Sequence, residues 1–111
     1  MSVKPIVWVG STLERLRAFP DAARRDVGHQ LHLVQSGLEP ADWKPMSSVG
    51  PGVFEIRVHA SGEFRALYVT KLTDAVYVLH AFEKKTQKTR RADVDIGKRN
   101  LRLVLAREAR G

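Results

Sequence analysis

The residues best suited to chemistry in this sequence are cations placed on strands. Arg57 lies in the alternating stretch 53–59, and Arg65 lies on the next apolar stretch, so a hairpin would set the two side by side. A third stretch runs through His80 and Phe82 into Glu83-Lys84-Lys85-Thr86-Gln87-Lys88. If the three strands are neighbours, Arg57, Arg65, Lys84 and Lys85 converge at one end or face of a sheet. Such a cluster holds phosphates, Arg through forked contacts and Lys as a point charge. In phosphodiester cleavage it also stabilises the charge that builds on the phosphorane. The alternative from the same residues is plainer: Arg57 pairs with Glu55 or Glu63 on a solvated strand, and the lysines form an ordinary basic loop.

Other chemistry is thinly represented. His59 and His80 have acid–base character because imidazole titrates near neutrality, although a strand histidine is more often a structural hydrogen-bonder. His80 stands next to the basic loop. His29 and His32 are three apart on a helix, a ligand spacing, but no acidic or Cys partner lies at a convincing distance, so neither metal nor cofactor is expected. Asp93 and Asp95 open the last helix, where the helix dipole accounts for them. The chain has no Cys, which removes disulfides, thiolate nucleophiles and Cys-ligated zinc. It also lacks a glycine-rich phosphate loop, a Gly-x-Ser-x-Gly elbow and a His-Glu-x-x-His helix.

Charge supports an anionic partner. Nineteen Lys and Arg against twelve Asp and Glu give +7, with a pI near 10.3. From Glu83 to Gly111 there are ten basic and four acidic residues, a net of +6, so the excess sits in the last quarter. That asymmetry suits a polyanion or an acidic protein surface. At 111 residues and 43% hydrophobic, the chain is expected to be one domain over residues 1–111. No apolar run approaches the ~20 residues that span a bilayer. With no h-region at the N-terminus, the expectation is a cytoplasmic protein without membrane contact.

The elements that must position the cations follow from local pattern. Residues 5–9 read as a short strand broken by Gly10. Ser11-Thr12-Leu13-Glu14 has capping-box spacing and predicts a helix to about Ala18. Pro20-Asp21 starts a second helix, with Ala23, Val27, Leu31, Val34 and Leu38 on its apolar stripe and Gly37 as its stop. The two helices are expected to form an antiparallel hairpin. Residues 39–52 read as a loop anchored by Trp43. In 53–59, Phe54, Ile56 and Val58 alternate with Glu55, Arg57 and His59; Ala60-Ser61-Gly62 makes a hairpin turn. Residues 64–71 and 75–82 are apolar on both faces, with a turn at Thr73-Asp74. A final helix spans 92 to about 107, carrying Val94, Gly97, Leu101, Val104 and Leu105. The order βααβββα gives an α+β fold: an N-terminal strand and helical hairpin on a small antiparallel sheet, then a C-terminal helix.

The ordered set Phe54-Glu55-Ile56-Arg57, Phe64-Arg65-Ala66-Leu67-Tyr68 and Leu79-His80-Ala81-Phe82-Glu83-Lys84-Lys85-Thr86-Gln87-Lys88-Thr89 resembles the RelE/ParE toxin superfamily, most closely its phage-derived, HigB-like branch. Leu38-Glu39-Pro40 and Trp43-Lys44-Pro45-Met46 also match, so the resemblance covers most of residues 5–107. It implies the toxin of a type II toxin–antitoxin system, a metal-independent endoribonuclease that cuts mRNA in the ribosomal A site with the substrate's 2′-hydroxyl as nucleophile. It implies a helix-turn-helix antitoxin, the ribosome and mRNA as partners, and no cofactor. Carried over, Arg57 and Arg65 bind and polarise the scissile phosphate, and Lys85, with Lys84, stabilises the transition state or leaving group. Lys44, Lys88, Arg90 and Arg91 are the further RNA contacts. Glu55 stands where several RelE members have lysine, either as a base or as an anchor for Arg57. The C-terminal tyrosine of some members has no counterpart near Arg90, which leaves His80 or Glu55 for proton transfer. Two other functions fit the same residues: a ParE-like inhibitor of DNA gyrase, and a non-catalytic RNA-binding module.

Overall fold

The computed structural model describes residues 3–70 and 75–110. The chain runs β1 (Ile6–Trp8), α1 (Thr12–Arg17), α2 (Asp21–Gln35), β2 (Trp43–Pro45), β3 (Val53–His59), β4 (Glu63–Val69), β5 (Val76–Glu83) and α3 (Arg91–Arg110). One five-stranded sheet has the order β1-β5-β4-β3-β2. The α+β arrangement is as the sequence predicts, and the sheet is richer. β1 joins the edge of β5 in parallel, while the other pairs are antiparallel. β2 is an additional edge strand inside the expected loop. At three residues including Pro45 it is too short to show alternation, and an edge is where a strand proline is tolerated.

The period-2 pattern of β3 divides the sheet into two faces. Ile56 and Val58, with Phe64, Ala66, Tyr68, Val76 and Val78, pack under Leu16 of α1 and Ala23, Val27, Leu31 and Val34 of α2. Leu38, counted on that stripe in the sequence, lies past the helix end and is 58% exposed. Gly37 turns the chain there with φ +80, a conformation costly for other residues. On the opposite face, Val53, Leu67, Val69 and Leu79 pack with Met46, Val49, Leu101 and Val104. Each such side chain contributes about 1.5–3 kcal/mol when fully buried. Gly97 brings α3 down onto this face, since a Cβ there would lie 3.1 Å from both Leu67 and Val49 side-chain atoms.

α3 is longer than expected and its buried line differs. Asp93, Gly97, Asn100, Leu101 and Val104 face the sheet, and Glu108 continues that line by accepting a hydrogen bond from Tyr77 Oη. Leu105 falls to the solvent side at 45% exposure. The capping box does not form. Ser11 has φ −91 and ψ 16, so its hydroxyl is not aimed at the helix amides, and it accepts from Arg15 Nε instead. The expected turn at Thr73-Asp74 lies outside the described residues.

A bulge in β5 sets which side chains reach the α3 side of the sheet. Leu67 pairs with His80 but Tyr68 pairs with Val78, which leaves Leu79 as the extra residue. Its carbonyl, displaced from the ladder, accepts from Asn100 Nδ2 of α3 at 2.8 Å. The bulge also shifts the phase of β5, so that His80 and Phe82 face α3 and Ala81 faces the helical pair.

Candidate functional site

Cross-strand partners share a face, so the register arranges the α3-facing side in rows. The first row is Lys44, Glu55, Leu67 and His80; the second is Arg57, Arg65 and Phe82; the third is His59 and Glu63. Gly97 and Leu101 of α3 cover the first row at the Leu67 end. The later rows emerge from beneath α3 and carry the charges. The Ala60-Ser61-Gly62 turn sets this register, with Ser61 at φ +56 and Ala60 N–H donating to the Gly62 carbonyl.

Glu55 is fully buried at the base of this cluster. Its Oε1 accepts from Arg57 Nε at 3.3 Å and lies 3.8 Å from Arg65 Nε. A buried carboxylate without such partners would be costly, and two flanking guanidiniums supply the compensation. Arg65 is 5% exposed. Its Nη1 donates to the Phe64 carbonyl at 2.9 Å and its Nη2 to Glu63 Oε1 at 3.1 Å. Arg57 is half-buried, and its backbone N–H is held by the Asp42 carbonyl at 2.9 Å. Both of the pairings considered for Arg57 in the sequence are thus divided: Glu55 takes Arg57, and Glu63 takes Arg65.

Lys84 completes the cluster and Lys85 does not. Lys84 N–H donates to the Glu63 carbonyl at 2.6 Å, fixing the chain just past β5 beside β4. Burial lowers the Lys84 pKa first; the charges of Arg65, Lys44 and Arg57 lower it further, and Glu55 opposes them. These groups are near enough to act on one another's charge. Lys84, Lys44 and Lys88, with Met46 and Val94, line an adjoining cleft of about 340 Å³. Lys85 points away, 74% exposed and 4.0 Å from Glu83, into a separate recess with Arg15, Phe19 and Arg90. Arg90 leans on Asp93 at 3.4 Å, and Arg91, on the outside of α3, lies 4.0 Å from Asp95. The expected cations therefore separate into two groups. Arg57, Arg65, Lys84, Lys44 and Lys88 are gathered, whereas Lys85, Arg90 and Arg91 are not.

His80 is fully buried in the covered row. Its Nε2 lies 2.8 Å from Asp93 Oδ1, its ring stacks on Phe82 at 5.1 Å, and burial lowers its pKa against the pull of Asp93. Burial thus favours the neutral imidazole, whose Nε2 faces Asp93 and whose Nδ1 has no hydrogen-bond partner among the described residues. Asp93 is more than a dipole partner: it ties the start of α3 to β5. No local pattern marks this pairing, which spans thirteen residues. The surroundings of His59 are equally unmarked in the sequence: its ring sits between Asp42 and Glu63 at 2.8 Å on either side.

This geometry has relatives among known proteins. A family model described as "Phage derived protein Gp49-like" matches residues 14–102. The chain belongs to that family. This Gp49-like protein also has the RelE fold: it superposes on a free-state mutant of E. coli toxin RelE with two arginines replaced by alanine, at TM-score 0.65 and 13% identity. That match covers 92% of this chain and 98% of the toxin. The Gp49-like family and the RelE fold agree with the resemblance carried by the motifs of residues 54–89. Among curated proteins nothing matches it. Among the described residues, no helix is long and apolar enough to cross a membrane.

Proposed function

We propose that this protein is the toxin of a type II toxin–antitoxin system and acts as a ribosome-dependent mRNA endoribonuclease in the cytoplasm. The observation that carries the reading is the convergence of Arg57, Arg65 and Lys84 over the buried Glu55, at the uncovered end of a RelE-type sheet. The partners on this reading are mRNA in the ribosomal A site and a helix-turn-helix antitoxin that masks the basic surface.

The chemistry needs only the chain's own groups, the substrate and water as proton acceptor. The ribose 2′-oxygen attacks the adjacent phosphorus and loses its proton to water, and the bond from phosphorus to the 5′-oxygen breaks. The products are a 2′,3′-cyclic phosphate and a 5′-hydroxyl end. Arg57 and Arg65 donate to the non-bridging oxygens, where a second negative charge develops in the phosphorane. Lys84 protonates the departing 5′-oxygen. Its lowered pKa eases the release of that proton. Glu55 is an anchor and not a base, because a fully buried carboxylate between two guanidiniums does not reach a substrate hydroxyl. His80, equally buried, is likewise structural. Lys44 and Lys88 hold flanking phosphates along the adjoining cleft, and Lys85, Arg90 and Arg91 contribute only at longer range.

Induction in bacteria beside an Arg57→Ala/Arg65→Ala variant tests this. Growth arrest with new 5′ ends inside translated codons, abolished in the variant, is the expected result. Arrest with intact messages and induced DNA damage would indicate a gyrase inhibitor instead. RNA binding without cleavage or arrest would indicate a binding module.

A further inference from the structure

The third row of the sheet holds a hydrogen-bonded chain that ends on a site arginine. Asp42 Oδ2 lies 2.8 Å from His59 Nε2, His59 Nδ1 lies 2.8 Å from Glu63 Oε1, and that same oxygen accepts from Arg65 Nη2 at 3.1 Å. The chain links the segment before β2 to the far ends of β3 and β4. An imidazole can donate from both nitrogens only as the cation, and here each nitrogen faces a carboxylate. The remaining charges around it are Arg57, two residues along β3, Arg65 on β4, and Lys84, whose amide is held by the Glu63 carbonyl. His59 Nδ1 lies 2.8 Å from both Glu63 oxygens, and Arg65 shares one of them, Oε1.

We propose that Glu63 is a built-in competitor for the phosphate, and that protonation of His59 sets how strongly it competes for Arg65. With His59 charged, the Glu63 carboxylate is shared with the imidazolium and Arg65 Nη2 is more readily released toward an anion, while Nη1 stays on the Phe64 carbonyl. When His59 loses its proton to solvent, one positive charge leaves the rim of the site, and one nitrogen becomes an acceptor facing a carboxylate. The remaining N–H serves one carboxylate only, and when it stays on Asp42, Glu63 is left to Arg65. Both effects weaken anion binding as pH rises. The side-chain hydrogen bonds to Asp42 and Glu63 raise the His59 pKa above its ordinary value. His59 is a positioning residue in this scheme, and Glu63 is a brake on binding.

The inference rests on reading the cluster as a phosphate site, and the experiment separates the two. The probe is a short fluorescent single-stranded DNA, which lacks the attacking 2′-hydroxyl, titrated by anisotropy from pH 5.5 to 8.5 at constant ionic strength. Affinity of the wild type is expected to fall about fivefold across this range, the effect of about one nearby unit charge. Glu63→Gln, with folding checked by circular dichroism, is expected to bind more tightly than wild type at pH 8 and to keep only the smaller pH dependence that comes from the His59 charge itself. His59→Gln is expected to be flat at the weaker limit. Asp42→Asn is expected to move the midpoint to lower pH. Equal or weaker binding by Glu63→Gln, or a pH dependence that survives His59→Gln, overturns the competitor. A wild type that binds no better than Arg57→Ala/Arg65→Ala at any pH overturns the phosphate site itself.

Discussion

Two histidines on one face of the sheet each contact a carboxylate at 2.8 Å, and their surroundings drive them in opposite directions. His80 lies under α3 with no exposure; desolvation outweighs Asp93 and keeps the ring neutral. The His59 side chain is 56% exposed at the turn end of the hairpin, where desolvation is weak and two carboxylates favour the cation. Partner chemistry is the same in kind. Cover by α3 decides which form each ring favours: one histidine pins a helix, and the other, on the proposed reading, adjusts a binding site.

The largest effect should come from breaking the covered pair. Asp93→Ala leaves His80 Nε2–H buried without an acceptor and frees the start of α3, and is expected to cost about 2–3 kcal/mol in urea denaturation followed by the fluorescence of Trp8 and Trp43. Asp93→Asn, which can still accept, should cost clearly less. A loss under about 0.5 kcal/mol for the alanine variant would mean that the pair contributes little.

The next contrast is in pH. His80 has a folded pKa below its unfolded value, so the unfolded chain binds a proton first as pH falls, and stability is lost below about pH 6.5. His59 has a raised folded pKa, so its contribution is fully present below the unfolded pKa of about 6.5 and disappears as pH rises through the raised value. Glu63, with its pKa lowered chiefly by the His59 hydrogen bond, adds stability above its unfolded value and loses it in acid. The buried group is screened least and should dominate, giving a net loss of stability between pH 7 and 5.5. His59→Gln removes the opposing contribution and should steepen that loss. Imidazole NMR titration checks the assignment directly: one ring titrates above 6.5 and one below, and reversal of the two would sink the comparison.

The smallest effect should be the stability cost of His59→Gln at neutral pH, expected to stay under about 1 kcal/mol because the pair is solvent-screened. A larger cost would make the Asp42–His59–Glu63 chain a structural clasp on the hairpin.

Much of the site was legible in the sequence, and the limit can be located. The alternation in 53–59 put Glu55, Arg57 and His59 together, and the Ala60-Ser61-Gly62 turn fixed the register that sets Arg57 against Arg65. The choice between Lys84 and Lys85 was not legible. Consecutive residues leaving a strand point to opposite sides, and the parity of β5 depends on the bulge at Leu79. In a stretch apolar on both faces, nothing in the residue types marks a bulge. Its signature lies in Asn100, whose side chain satisfies the displaced carbonyl from a helix twenty-one residues on. The His80–Asp93 pair and the short edge strand β2 were hidden for the same reason: each is decided by tertiary contact and not by local pattern.

The central claim is that Arg57, Arg65 and Lys84 form a phosphodiester-cleaving centre. Its most direct test is cleavage of a defined mRNA on purified ribosomes, with wild type beside Arg65→Ala and Lys85→Ala. Cutting in the A-site codon to a 2′,3′-cyclic phosphate end, reduced about 10²–10³-fold by Arg65→Ala and little changed by Lys85→Ala, is the predicted result. Uncut mRNA with folded wild-type protein, or equal losses in the two variants, would contradict it.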